Sequence, residues 1–223
     1  MWRVERRTPA RSHDIEDKHR PNPALSMIVH LCGIDEIAEV HAFPAALAEC
    51  VKNTVQLLAP GQMHAPSGPV ISVRLATESL SIPYRVYYDK QQLLNCLNSS
   101  GDIPLIALCL GTRHYDGVLR EQCLRRLLVV AEKWAAPFVI QLLGEYVVEI
   151  VQPIHERFLE RVEERYLDFF RENVEFCEYL RCRATSYWNE YYRAHFPRHK
   201  DYPAVKALSA LQSAAKAVTE KNA

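Results

Sequence analysis

The sequence predicts a mainly α-helical protein with one small β-hairpin, and three observations predict it. Apolar residues recur at spacings of three and four through most of the chain. Period-two alternation with β-branched and aromatic residues is confined to residues 69–88. Glycine is scarce, with seven in 223 residues, whereas an all-β fold with many tight turns needs more of it. With 48% apolar residues the chain can bury a sizeable core. Lysine plus arginine and aspartate plus glutamate number 27 each. The whole molecule is therefore no electrostatic magnet for nucleic acid or anionic lipid, although a local patch is still allowed.

The elements follow in order. Residues 1–26 are polar, carry Pro9, Pro21 and Pro23, and read as a flexible extension. They hold no apolar core of a signal peptide, and their acidic residues argue against a transit peptide. The first apolar run is 27–32. Pro44 opens a helix whose face is Leu47, Val51, Val55 and Leu58. A Pro/Gly loop over 60–69 leads into two strands, 70–75 and 80–88. Pro83, which cannot donate to a ladder, is expected at an edge or a bulge.

From Asp89 the pattern is helical. Asp89 with Gln92 forms a capping pattern, and Gly101 can end that short helix. Asp102 and Pro104 open the next helix, which runs to about Thr112. A polar turn over 113–117 precedes a helix over 118–133, and Pro137 opens another to Gln152. Pro153 marks a kink or break. Residues 154–196 then read as one long helix with Phe158, Val162, Tyr166, Phe169, Val174, Cys177 and Leu180 on its apolar face. Pro197 ends it, and an Ala-rich helix over 204–218 closes the chain. The segments are thus 1–26, an α/β-hairpin part 27–88, a helical core 89–196 and a C-terminal helix and tail 197–223.

An internal echo runs through the core. Pro104 leads to Leu110-Gly111, and Pro137 leads to Leu143-Gly144, a period of 33 residues. The turn Asp116-Gly117-Val118-Leu119-Arg120, followed by Cys123 and Leu127, resembles the second helix of a HEAT repeat, with its capping Asp and an Arg one turn in. The resemblance covers about residues 102–152. In the second copy Pro153 stands in place of that Arg. It implies HEAT-like helical-hairpin layers and says nothing of function, because repeat folds host many roles.

Two constellations could carry chemistry. The first is Arg113, His114, Asp116 and Arg120, with Glu145 and Glu149 one helical turn apart on the neighbouring helix. His114 beside Asp116 has the makings of an oriented base, and the arginines can clamp a carboxylate or phosphate. The plainer reading has Asp116 capping a helix and Arg120 paired with Glu145 or Glu149 between layers. The second is the basic aromatic segment 181–200, with Arg181, Arg183, Tyr187, Trp188, Tyr191, Arg193, Arg198 and Lys200. Bases stack on aromatics while cations follow phosphates. The same aromatics also fall at i, i+4 spacing, which suits packing.

No P-loop, GxGxxG, GxSxG or metal-ligand spacing is present. His155-Glu156 starts like a zinc-protease helix, but Leu159 stands where the second histidine belongs. Seven cysteines without CxxC spacing read as reduced, mostly buried thiols. No cofactor and no metal are expected, no apolar stretch is long enough for a membrane span, and the cytoplasm is the default location. The sequence therefore predicts a helical interaction module that binds another protein and can self-associate through its long helix. The alternatives are a nucleic-acid-associated protein using 181–200 and an enzyme built around His114 and Asp116.

Overall fold

The computed structural model describes residues 37–221. The expected extension 1–26 and the apolar run 27–32 lie outside the described residues. What is described is mainly helical, with one two-stranded sheet. No helix among these residues is long and apolar enough to cross a membrane.

Helix α1 (Ala48–Leu58) buries Val51, Val55 and Leu58, the stripe its sequence spacing implies. Strands β1 (Ile71–Leu75) and β2 (Glu78–Ile82) pair antiparallel with Val73 opposite Leu80, both buried. The turn between them puts Ala76 at φ +53°. The ladder ends at Ile82, because Pro83 has no N–H to offer it. The expectation of a strand to residue 88 is corrected here. Residues 84–88 keep the alternation, with Val86 and Tyr88 fully buried, but bond to other segments. Arg85 exchanges two backbone bonds with Ser67 (3.0 and 3.1 Å). The Val86 N–H donates to the Arg113 carbonyl at 3.0 Å, and the Tyr115 N–H donates to the Val86 carbonyl at 3.1 Å. The extended segment is thereby pinned to the polar turn.

Helix α2 (Lys90–Cys96) is capped by Asp89, whose Oδ1 accepts the Gln92 N–H at 3.0 Å. Helix α3 (Ile103–Gly111) carries Pro104 in its first turn. Helix α4 (Gly117–Leu127) is capped by Asp116, whose Oδ1 accepts from Val118 and Leu119 at 2.8 and 3.3 Å. It stops at Leu127 rather than at residue 133, and the Leu128 carbonyl beyond it is taken by the buried Arg165 at 3.2 Å. Helix α5 (Ala136–Ile140) tightens into a 3-10 turn, Gln141–Gly144, and the chain then extends at Glu145 (φ −85°, ψ 150°). The expected helix over 137–152 is therefore two helices. Pro153 breaks neither, because it sits inside α6 (Val148–Glu160). The carbonyl deprived of its partner there belongs to Glu149, an exposed residue that water can serve.

The single long helix expected over 154–196 is instead α6, α7 (Glu164–Glu172) and α8 (Val174–Tyr187), the last continuing into a π-helical turn, Trp188–Tyr192. Two side chains make the breaks. The Glu163 carboxylate binds Arg157 Nε at 3.0 Å and Arg165 Nε at 2.8 Å, holding the chain where Arg161 turns extended. Asn173 accepts the Arg74 N–H at 2.7 Å and donates to the Arg74 carbonyl at 2.8 Å, so its amide imitates a strand beside β1. It also donates to the Phe169 carbonyl at 2.9 Å.

Of the apolar stripe of the supposed long helix, Phe158, Tyr166, Phe169, Cys177 and Leu180 are buried, Val162 is half-buried and Val174 is exposed, and helix α9 (Pro203–Lys221) packs on α6, α7 and α8. Most of this stripe therefore finds its partner within the chain, in α9.

The echo is partly structural. Leu110 and Leu143 are both fully buried. A Cβ on Gly111 would stand 2.3 Å from Cys123 Sγ, and one on Gly144 would stand 2.7 Å from a Leu180 methyl. Gly111 thus admits its own return helix, α4, whereas Gly144 admits α8. The echo extends to the buried Leu-Gly pair and not to what packs on it.

Candidate functional site

The polar turn, the extended segment and the end of the Gln141–Gly144 turn converge on one carboxylate. Glu145 is 3% exposed. Arg85 Nη2 lies 3.0 Å from both of its oxygens. Arg113 Nη2 lies 3.7 Å from Oε1, and Arg120 Nη2 lies 3.9 Å from Oε2. The three guanidinium groups come from three stretches of chain. Arg85 follows Pro83 in the segment pinned at Val86. Arg113 sits where α3 ends, and Arg120 sits one turn into α4.

Two buried cations and the half-buried Arg85 against one anion leave an excess of positive charge, and backbone carbonyls offset part of it. Arg113 Nη2 donates to the Tyr84 carbonyl at 2.8 Å. Arg120 Nη1 donates to the carbonyls of His114 and Tyr115 at 2.8 and 3.0 Å. Burial still pushes Arg113 down to about 9, and Glu145 opposes that fall while Arg85 and Arg120 add to it. Burial likewise lowers Arg120, against the pull of Glu145.

The sequence put Arg113, Arg120 and Glu145 together, and the structure places them so. Glu149 stands apart, on the exposed side of α6. Arg85 was missed, because period-two alternation assigns it to the face opposite the buried Val86. The residues the sequence offered as a catalytic pair are occupied. His114 Nε2 lies 2.8 Å from the Tyr88 carbonyl, and the Asp116 N–H donates to Nδ1 at 3.1 Å. That network requires a neutral ring with its proton on Nε2 and its other lone pair engaged. Asp116 spends its carboxylate on the α4 cap and lies 3.9 Å from Lys90. This geometry suits a fixed structural imidazole better than a base.

Burial lowers the His114 pKa below its ordinary 6.5, with the Tyr88 carbonyl and Asp116 opposing. Burial and Lys206 do the same to His155, whose two ring nitrogens have no hydrogen-bond partner. A histidine depressed in the folded state binds protons better when unfolded. Its stabilisation is complete above pH ~6.5 and is lost as pH falls through the folded value. Denaturant titrations should therefore show lower stability at pH 5.5 than at pH 7.5. The double variant His114→Asn/His155→Leu should flatten that slope, and an unchanged slope would contradict the assignment.

The basic aromatic segment is largely committed to its own chain. Arg181 meets Glu178 at 3.4 Å and Gln212 at 3.2 Å. Arg198 meets Asp201 at 2.6 Å. Arg193 lies over the Trp188 ring at 5.1 Å, and the Trp188 indole N–H donates to the Phe196 carbonyl at 2.8 Å. Lys200 is exposed. Arg183 turns toward the Glu145 region, where its Nε donates to the Gly144 carbonyl at 3.1 Å and its Nη2 to Tyr187 at 2.7 Å. Tyr187 and Tyr191 stand beside Tyr146, which immediately follows Glu145. Compared with models of protein families, with curated proteins and with solved structures, the chain matches none.

Proposed function

We propose that the chain is a helical interaction module that binds another protein through a tyrosine face beside Glu145. One observation carries this reading. Tyr146, Tyr187 and Tyr191 form a ring cluster with centroids 6.1, 6.5 and 6.4 Å apart, while Tyr146 and Tyr191 remain 52% and 59% exposed. Tyrosine brings large contact area with little conformational freedom to lose, and it is enriched where binding energy concentrates.

The cluster is also held in advance of binding. The Tyr192 hydroxyl donates to the Tyr146 carbonyl at 2.7 Å and accepts the Val148 N–H at 3.3 Å. The loop carrying Tyr146 is thereby tied to the π-helical turn carrying Tyr191. Ring faces flanked by phenol hydroxyls suit a partner segment that offers apolar side chains and backbone carbonyls. A phosphate backbone suits this face less well, because Arg181, Arg183 and Arg198 are already engaged.

The test uses the intact chain and its Tyr146→Ala/Tyr191→Ala variant as parallel baits, followed by titration of the purified captured protein. Loss of both exposed rings should weaken binding by about tenfold or more, with little change in melting temperature. Equal capture by both baits would overturn the reading. So would salt-sensitive retention on heparin by the unaltered chain together with binding of single-stranded oligonucleotide.

A further inference from the structure

Between β1, the Tyr84–Arg113 region and α8 lies a cavity of about 220 Å³. One wall is apolar, made by Ile71, Phe176 and Leu180. The other carries Tyr84, Arg113, Gln141, Glu145 and Arg183, and Tyr179 is half-exposed at the rim. The polar wall is rich in positive charge and in donors. Arg183 Nη1 and Nη2 donate to the hydroxyls of Tyr179 and Tyr84 at 3.2 and 3.3 Å. A phenol that accepts a hydrogen bond still has its own O–H to give. The guanidinium groups of Arg85, Arg113 and Arg183 all lie within 6 Å of the Tyr84 ring centre, at 4.4, 5.7 and 5.9 Å.

Gln141 supplies a second, independent observation. It is 5% exposed and lines this cavity, yet both its amide nitrogen and its amide oxygen are buried without a hydrogen-bond partner. A buried primary amide left unsatisfied costs stability. A ligand that accepts from the nitrogen would remove part of that cost.

We propose that this cavity binds a small monocarboxylate with an aromatic or branched apolar body, the carboxylate meeting the Arg113, Gln141 and tyrosine wall and the body meeting Phe176 and Leu180. The sign follows from the charges. Glu145 already serves three arginines, so an incoming cation finds no free anion and an incoming anion finds surplus positive charge. The carboxylate is favoured over phosphate by how the donors are committed. Arg183 has given four of its five N–H groups to Gly144, Tyr179, Tyr84 and Tyr187. It presents no free fork for a phosphate, and O–H and amide donors suit a monoanion. The volume is below the range of drug-sized pockets and admits one small ring or branch. This assignment does not rest on the tyrosine-face reading and stands if that reading fails.

The experiment titrates the full chain with phenylacetate, phenylacetamide and inorganic phosphate, read by calorimetry and by melting temperature. A free acid and the C-terminus of a peptide carry the same chemistry. A tetrapeptide ending in phenylalanine and its C-terminal amide therefore make a second arm, and tighter binding of either acid identifies the source. Phenylacetate should bind and raise the melting temperature, with phenylacetamide about tenfold weaker or worse. Gln141→Leu should melt higher than the unaltered chain without ligand, yet lose phenylacetate binding about tenfold. Tyr179→Phe, at the rim, should keep the fold and weaken binding severalfold. The assignment is overturned if neither acid binds, if acid and amide bind alike, if phosphate alone binds, or if Gln141→Leu binds phenylacetate as well as the unaltered chain.

Discussion

Glu145→Gln should destabilise the protein by ~3–5 kcal/mol, because it leaves buried guanidinium groups facing one another with no anion between them. The residue is isosteric, so cavity formation adds nothing and the loss reports charge alone. Arg85 feels it most, at 3.0 Å from both carboxylate oxygens, with Arg113 and Arg120 at 3.7 and 3.9 Å. Arg120→Ala should cost less, ~1–3 kcal/mol. It frees the buried carbonyl of His114 and the part-buried one of Tyr115, but Glu145 keeps its closest partner. Urea unfolding of the two variants gives the order directly, and a smaller loss for Glu145→Gln than for Arg120→Ala would mean that the carboxylate is not what stabilises the cluster.

Leu110→Ala and Leu143→Ala should each cost ~2–5 kcal/mol. Both leucines are fully buried in the single apolar core, and each stands one residue before a glycine at a close approach. The surroundings cannot collapse into the space left behind without moving α4 or α8, so the cavity is kept and the cost lies above simple transfer. The glycines should differ. At Gly111 an added Cβ meets Cys123 Sγ at 2.3 Å and its Cβ at 3.1 Å, a short side chain that cannot swing away. At Gly144 it meets the far end of Leu180 at 2.7 Å, which can. Gly111→Ala should therefore lose ~1–3 kcal/mol and Gly144→Ala less. Equal losses would mean that α4 and α8 yield alike.

Four helix starts were legible because capping chemistry is local, while those of α6, α7 and α8 were not. Asp89, Asp116, Pro104 and Pro137 each act within a few residues of themselves. The helix ends were not, because long-range contacts set them. Nothing near Asn173 in the sequence announces that its amide will pair with Arg74, 99 residues away. The break at 161–163 depends on Glu163 holding Arg157 and Arg165, although i, i+4 spacing alone would carry a helix through. In the candidate site, Arg120 and Glu145 could be matched by their positions in the echoing hairpins. Arg85 could not, since its place follows from Pro83 ending the ladder and from Val86 bonding to the 113–115 turn.

Among the described residues, Glu145 neutralises a cluster of mutually repelling arginines and so joins the extended segment at Arg85 to the end of α3 and the start of α4. The most direct measurement is a double-mutant cycle of Arg85→Met and Glu145→Gln by denaturant unfolding. With the carboxylate gone, Arg85 keeps the Tyr84 carbonyl at 2.9 Å and the Tyr84 ring at 4.4 Å, but its charge now faces Arg113 and Arg120 with no anion between them. The double variant should therefore be more stable than Glu145→Gln alone, and the two losses should be far from additive. A double variant less stable than Glu145→Gln, with losses that add, would show that Glu145 does not hold Arg85 against Arg113 and Arg120.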